Sequence, residues 1–370
     1  YEISLGLVGS EMCIRDRINS VAIKKNPFRV VSMNPIKTQI KHYVETVQQF
    51  SDVRVLVIGD VMLDAYLSCK AIGIADDAPV PLLEILGQSN TLGGAANVAR
   101  NLAQLGVKTS LVGVIGKDAN GTLTKKLLKD SKVNFFPVES EKPTTLKTRV
   151  MAEDHYYLRF DEENRSCINS TDGKFLTSLI KNQVDKVDLI VISDYDKGIF
   201  SPTVVSQIEQ IAQSNHLKIL ADLKPKNIFH WKTLDLITPN VNEAILIQEL
   251  FNSGKRPNIE GLTIIKNLRT LLKCNIVLKM DRDGMIIAPL TGSVQHLDAF
   301  CQSPKDTSGA GDTVLSTLAA AIGQGSNIEQ AGWLANLAAS ISVSKPGTYA
   351  VSCSELVKAV LQSKKLPLAD

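Results

Sequence analysis

The sequence predicts an α/β fold, a mainly parallel sheet covered by helices on both faces with a small antiparallel sheet beside it. Short β-branched runs alternate with stretches of helical period along most of the chain, and that alternation is the signature of parallel strands joined by helical crossovers. Two further stretches, 79–86 and 145–161, read as strands with no helix beside them. Near the C-terminus a glycine-rich turn opens directly into an alanine-rich apolar helix.

Taken in order, a polar helical stretch covers 34–49, and Val53 to Gly59 reads as a buried strand. Thr109 to Ile115, Asp188 to Ser193, Leu217 to Asp222, Leu234 to Thr238 and Asn275 to Met280 repeat the strand pattern. Helical periods fill 95–105, 119–130, 172–185, 204–213, 240–251 and 259–272. The exceptional segments 79–86 and 145–161 alternate apolar and polar residues, so they are expected to pair antiparallel with one face packed and one wet. Such a flap can be a lid over a site, a dimer surface, or a sheet without function. In a sheet of this kind ligands bind outside the carboxyl ends of the strands.

The chain has 370 residues, 44% hydrophobic and 21% charged, enough for one large α/β domain or two ordinary ones. Its formal charge of +3 arises from 41 basic and 38 acidic residues interspersed along the chain, which provides no electrostatic footprint for nucleic acid or an anionic membrane. No apolar run approaches a membrane span. Six scattered cysteines lack metal-type spacing and fit a reducing, cytoplasmic compartment. The first seventeen residues lack the basic and apolar regions of a signal peptide and resemble translated sequencing-adapter read-through. Residues 1–33 are therefore expected to be a non-native or disordered tail, with Met33 as the true start.

The chemistry concentrates in Asp306-Thr-Ser-Gly-Ala-Gly-Asp312. The first N–H groups of a helix lack internal partners, and the macrodipole adds positive potential, so the turn through Gly309, Ala310 and Gly311 is an anion site. Asp312 would repel that anion, and it makes better sense as a base acting on a hydroxyl beside it. An anion hole with a base is what phosphoryl transfer from a nucleotide to an alcohol requires.

Other candidates lie on the same rim. Asp60 and Asp64 follow the first strand and can accept hydrogen bonds from sugar hydroxyls. Gly93 and Gly94 allow close backbone approach and a hinge, and Asn97 can donate and accept to a hydroxyl. Lys224 stands where nucleotide phosphates would pass. Asn240 and Glu243 open a helix and can either hold a nucleotide with hydrated Mg²⁺ or form a capping box. Arg149 and Arg159 in the flap can clamp a substrate phosphate or pair with nearby acids such as Asp161 and Glu162. The turn 113–121 reads as structural, and the five histidines show no ligand spacing.

Together, Gly93-Gly94-x-x-Asn97 and Asp306 to Asp312 resemble the two signatures of the ribokinase-like (PfkB) carbohydrate kinases over roughly residues 50–365. The resemblance implies a doubly wound, mostly parallel sheet with a β-lid, here about 67–92 and 133–161, and the use of ATP with Mg²⁺. It makes Asp312 the catalytic base and Gly309 to Gly311 the anion hole. Asn240, Glu243, Lys224 and Thr307 become nucleotide contacts, with Glu243 reaching Mg²⁺ through water and Asn336 near the adenine. It also implies a monovalent-cation site near Asp306 and allows a homodimer through the lid.

Within that family, GDVMLD (59–64), APVP (78–81), LGGAANVARNLAQLG (92–106), KTRV (147–150), LRFD (158–161), SDYDKG (193–198), TPNVNEA (238–244) and GTYAVS (347–352) are most similar to D-glycero-β-D-manno-heptose-7-phosphate kinases. Such an enzyme forms the 1,7-bisphosphate, a precursor of ADP-heptose and lipopolysaccharide core. The chain departs from them at Gly73-Ile-Ala-Asp-Asp77, where an Arg-Ile-Ser-Pro-Glu run is usual, and at Asp222-Leu-Lys224, where Asp-Pro-Lys is usual. No H-x-G-H motif of a nucleotidylyltransferase occurs in the chain. A kinase for ribose, fructose or another heptose, and an inactive sugar-binding protein on the same fold, are the alternatives.

Overall fold

A computed structural model describes residues 36–153, 155–252, 261–301 and 303–363; the expected tail at 1–33 lies outside them. In chain order the elements are α1 (Ile36–Gln48), β1 (Arg54–Ile74), β2 (Pro81–Gly94), α2 (Ala95–Gln104), β3 (Lys108–Gly116), α3 (Ala119–Asp130), β4 (Asn134–Ser140), β5 (Thr145–Ala152) and β6 (His155–Glu162). Then come α4 (Ser170–Lys181), β7 (Leu189–Ser193), α5 (Pro202–Ser214), β8 (Lys218–Asp222), β9 (Leu236–Ile237), α6 (Val241–Phe251), α7 (Gly261–Leu272), β10 (Asn275–Lys279), β11 (Met285–Ala288) and β12 (Gln295–Leu297). Three helices close the chain: α8 (Ala310–Gly323), α9 (Ile328–Val343) and α10 (Cys353–Gln362).

The main sheet has the order β12-β11-β10-β9-β8-β7-β1-β3-β4. It is parallel from β10 to β4, and the β10–β11 and β11–β12 pairings at the other end are antiparallel, so β11 runs against the rest. Alternate residues of each strand feed opposite faces. Val55 and Val57 enter a core covered by α1, α2 and α8 to α10, whereas Leu56 and Ile58 enter a second core under α4 to α7. A strand buried on both faces must be apolar throughout, and this is why 55–58 is an unbroken hydrophobic run after the exposed Arg54.

β1 does not stop at Gly59. It leaves the main sheet after Asp60 and continues for fourteen more residues, pairing antiparallel with β2 from Val61↔Gly94 onward and parallel with β5 from Met62↔Thr145 onward. The lid is therefore β2-β1-β5-β6, with antiparallel β1–β2 and β5–β6 pairs joined through one parallel seam. Two expectations are corrected by this. Asp60 and Asp64 lie inside a strand rather than beyond its end, and 133–140 is no lid strand; Gly93 and Gly94 end β2. The 133–140 segment is β4, paired with β3 at the edge of the main sheet, where Pro137 removes no needed hydrogen bond. The turn after β3 is structural, as expected: Asp118 caps α3 by accepting from Gly121 N at 2.7 Å and holds Thr144 N at 2.8 Å.

Among the described residues no helix is long and apolar enough to cross a membrane.

Candidate active site

The parallel strands end on one rim, and the loops leaving them carry the predicted residues. α8 begins at that rim behind Gly309, whose φ of 76° is left-handed. A Cβ at Gly309 would stand 2.8 Å from Asn97 Nδ2 and 3.3 Å from Thr348 Cγ2, so both conformation and space call for glycine. Asp306 braces the turn: Oδ1 accepts from Ser308 N at 2.8 Å and Oδ2 from Gly347 N at 2.9 Å. Thr307 is exposed in the turn, and the N–H of Ala310 bonds the Thr307 carbonyl at 3.2 Å.

Asp312 is buried in the first turn of α8 with both carboxylate oxygens held. Asn97 Nδ2 donates to Oδ2 at 2.6 Å and Tyr195 Oη to Oδ1 at 2.7 Å. Burial pushes its carboxyl up to about 6, against the pull of those two donors; Asp222 pushes further up and Lys279 back down. A carboxylate that ionises near 6 is poised for general-base work near neutrality. Asn97 is oriented in turn: its Oδ1 accepts from Arg100 Nη2 at 2.8 Å and Asn101 Nδ2 at 3.2 Å, which leaves the amide N–H₂ for Asp312. Arg100 also donates to Thr91 Oγ1 at 2.6 Å and to the Thr348 carbonyl, tying the lid, α2 and the loop after α9 together.

Next to the anion turn stands an ion pair that the sequence reading did not single out. Lys279 Nζ, at the end of β10, meets Asp222 Oδ2 at 2.7 Å. A Cβ at Gly311 would lie 3.2 Å from Lys279 Nζ and 3.6 Å from Asp222 Oδ2, which puts this pair against the first turn of α8. The available signal was position alone, since Lys279 ends a predicted parallel strand on the binding rim.

Asn240 and Glu243 form a full capping box on α6: Asn240 Oδ1 accepts from Glu243 N at 2.8 Å, and Glu243 Oε2 from Asn240 N at 3.0 Å. The other Glu243 oxygen meets Lys224 Nζ at 2.7 Å. The capping box is therefore present, and its buried carboxylate is close enough to Asp222 to repel it. Mg²⁺ retains several waters and takes one or two carboxylates plus phosphate oxygens, so Glu243 and Asp222 fit such an ion although no cluster of three or more His, Cys, Asp or Glu side chains among the described residues is arranged for a metal. Asn336 is buried in α9, where its Nδ2 donates to the Asp298 carbonyl at 2.8 Å.

The acidic residues of β1 differ in role. Asp60 is engaged by backbone: Oδ2 accepts from Tyr195 N at 2.8 Å and Lys197 N at 3.1 Å. Burial and the neighbouring Asp194 push its carboxyl up to about 7. It fastens the loop after β7, and its Oδ1 is buried with no hydrogen-bond partner among the described residues. Asp64 is held beside β2 and the lid. A Cβ at Gly93 would stand 2.7 Å from Asp64 Oδ2, and Asp64 Oδ1 pairs with Arg149 Nη1 at 2.7 Å. Gly94 forms the N-cap of α2 with φ 56°.

Lid register decides the arginines. Arg149 lies opposite Arg159, and Lys147 opposite Asp161, on one face of β5–β6. Arg149 is engaged by Asp64 and stacks on Tyr66, and Arg159 Nε meets Asp161 at 2.9 Å. Below them a cavity of about 920 Å³ is lined by Lys147, Arg159, Arg165, Tyr195, Lys197, Lys224 and Lys226, with Asp161, Asp196 and Glu249 as the acids. Cations outnumber carboxylates two to one, which favours a polyanionic ligand. Lys147 has no carboxylate contact among the described residues, and its ammonium stands 5.4 Å from the Tyr195 ring centroid.

A family model described as pfkB family carbohydrate kinase matches residues 53–355. The bifunctional protein HldE of Citrifermentans bemidjiense is 32% identical over 319 residues, covering 85% of this chain and 64% of its own length. That of Caulobacter sp. is 36% identical over 310 residues, covering 83% and 63%. The chain thus spans less than two thirds of the length of the curated relatives it matches. Phosphofructokinase-2 from Escherichia coli in complex with potassium shares the fold, with a TM-score of 0.70 at 19% identity over 84% of this chain and 98% of that one. Motifs, fold and family model agree, and the chain belongs to the pfkB family of carbohydrate kinases.

Proposed function

We propose that the protein transfers the γ-phosphoryl group of ATP to a hydroxyl of a sugar phosphate, D-glycero-β-D-manno-heptose 7-phosphate, giving the 1,7-bisphosphate. The observation that carries this reading is a buried carboxylate, Asp312, ionising near 6, held by Asn97 at 2.6 Å and seated in the first turn of a helix flanked by the Asp222–Lys279 pair. Asp312 takes the proton of the acceptor hydroxyl as its oxygen attacks the γ-phosphorus. The helix-start amides and Lys279 meet the charge that grows on the phosphoryl oxygens. Glu243 and Asp222 would hold Mg²⁺, which when bound neutralises charge on the nucleotide phosphates. Asp64, Gly93 and Asn97 form the sugar side, and Lys224 with the Asn240–Glu243 cap forms the nucleotide side, with Thr307 and Asn336 at its edges.

The basic cavity under the lid supports a substrate that already carries a phosphate, with Lys147 and Arg159 as its closest unburdened and lid-edge cations. Arg149, engaged by Asp64, orients that sugar carboxylate rather than serving as the clamp. A monovalent cation beside Asp306 belongs to the same reading, because that residue braces the anion turn against the 347 loop.

The lid leaves Ile72, Ile74, Val80, Leu82, Ile85, Leu86, Leu158 and Phe160 exposed. Exposed apolar side chains in this number on a sheet with free edges fit a second copy of the chain. Gly73 to Asp77, where an Arg-Ile-Ser-Pro-Glu run with its basic residue is usual, favours testing other acceptors. The test is sugar-dependent ADP release with heptose 7-phosphate beside free and phosphorylated hexoses and pentoses. Preference for heptose 7-phosphate supports the proposal, and preference for an unphosphorylated sugar refutes it.

A further inference from the structure

Tyr195 stands between the cavity and the base. Its ring lines the cavity while Asp312 does not, and its hydroxyl donates to Asp312 Oδ1 at 2.7 Å. With Asn97 on Oδ2 at 2.6 Å, each oxygen of the base already accepts a hydrogen bond. The phenol can only donate here. Burial first, and the Asp312 and Asp222 carboxylates next, push its hydroxyl well above the ordinary value for tyrosine, so it remains protonated and cannot serve as a base itself. Lys147 and Lys224 hold the ring, with ammonium groups 5.4 and 5.6 Å from its centroid. The main chain beneath is fixed by Asp60 on Tyr195 N and Lys197 N, and by the left-handed Asp196 at φ 60°. Movement of Tyr195 is therefore a matter of its side chain.

We propose that the Tyr195 hydroxyl is a catalytic gate on Asp312, occupying the base until the acceptor hydroxyl displaces it and thereby denying the base to water. The inference rests on the reading of Asp312 as the base. Without the gate, a water oxygen can bond the γ-phosphorus of ATP while the bond from that phosphorus to the β–γ bridging oxygen breaks. The electron pair then leaves with ADP, and the water's proton passes to Asp312. Acceptor transfer follows the same balance with the sugar oxygen in place of water. The gate thus sets the ratio of hydrolysis to transfer. The groups facing Asp312 are Asn97 of α2, Tyr195 of the loop after β7, Asp222 of β8 and Lys279 of β10, with Arg100 acting through Asn97.

The test is Tyr195→Phe in the full chain with ATP and Mg²⁺, measuring ADP release with and without heptose 7-phosphate. A hydrogen bond to a charged group is strong enough that its loss should raise the ratio of acceptor-free to acceptor-dependent turnover by about tenfold. Its loss should also move the acid limb of kcat/KM upward by about one pH unit, because a donor that favoured the carboxylate is gone. An unchanged ratio or an unmoved limb overturns the gate. Asp312→Asn run in parallel separates the two readings. If that variant retains sugar-dependent turnover, the base assignment fails and the gate with it; if it is inactive while Tyr195→Phe matches the natural protein in both readouts, only the gate fails. Should Tyr195→Phe not fold, 3-fluorotyrosine placed at 195 retains the ring and hydroxyl. Its ¹⁹F resonance should shift on saturation with heptose 7-phosphate, and an unshifted resonance overturns the proposal.

Discussion

Replacing Lys279 by methionine removes one half of a nearly buried ion pair while keeping the unbranched stem of the side chain as far as Cε. Lys279 and Asp222 touch at 2.7 Å with side chains only 17% and 20% exposed, so the pair is little screened by solvent. Stripping the partner from a buried charge costs about 3–5 kcal/mol. Two neighbours shape that cost, since Glu243 repels Asp222 and Lys224 attracts it. Asp222 can limit the loss by taking up a proton, because its carboxyl is already held above the ordinary value by burial.

The sign of the pH dependence follows. In the variant the folded-state pKa of Asp222 rises further above its unfolded value, so folded protein binds more protons than unfolded protein in that window. Stability of the variant then falls as pH rises through it, by about 1.4 kcal/mol per pH unit at most. Urea denaturation at pH 5 and pH 7 is the assay. The deficit against the natural protein should be smaller at pH 5, by up to about 2.7 kcal/mol over those two units. Adding Asp222→Asn should recover part of the loss at pH 7, as it removes the stranded charge. A Lys279→Met protein with the natural stability at pH 7, or with one deficit at both pH values, refutes the reasoning.

Three further outcomes are expected. The kcat/KM profile should fall on its acid side with a midpoint near 6, because burial holds Asp312 there and only its ionised form accepts a proton; a limb near 4 would contradict the burial argument. Gly309→Ala forces a Cβ onto a residue at φ 76° and to within 2.8 Å of Asn97 Nδ2. Left-handed strain alone costs about 1–2 kcal/mol, and displacement of Asn97 should lower turnover beyond the stability loss, both measurable by thermal unfolding and ADP release. Ile85→Asp puts a charge on a lid residue that is 64% exposed. Light scattering should report a shift from dimer to monomer, and one mass for both proteins contradicts the lid interface.

What the sequence made legible was what local chemistry dictates. The strand–helix alternation, the 306–312 turn and the N-terminal start of α8 are set by short-range pattern, and Asn97 did meet Asp312 across 215 positions of sequence. β1 was misread because Asp60 and Asp64 look like a solvated turn. They sit inside a strand only because distant groups satisfy them, the backbone of Tyr195 and Lys197 in one case and Arg149 in the other. β4 was placed in the lid by the family resemblance, yet it pairs with β3 at the edge of the main sheet, where Pro137 is tolerated. Arg159 pairs with Asp161, one of the acids the sequence offered, whereas the partner of Arg149 is Asp64 of β1, 85 positions away and out of reach of local pattern. Lys279 and Tyr195 owe their roles to tertiary placement, and nothing in their own neighbourhoods distinguishes them from a lysine at a strand end or a tyrosine in a loop.

Asp312→Asn tests the account most directly. The substitution preserves size and leaves an acceptor for one of its two donors, Asn97 and Tyr195, so the fold should survive. General-base removal costs about a hundredfold or more in turnover. Sugar-dependent ADP release should fall by at least about that factor with nucleotide binding intact; a variant that phosphorylates sugar at the natural rate would mean that this carboxylate is not the base.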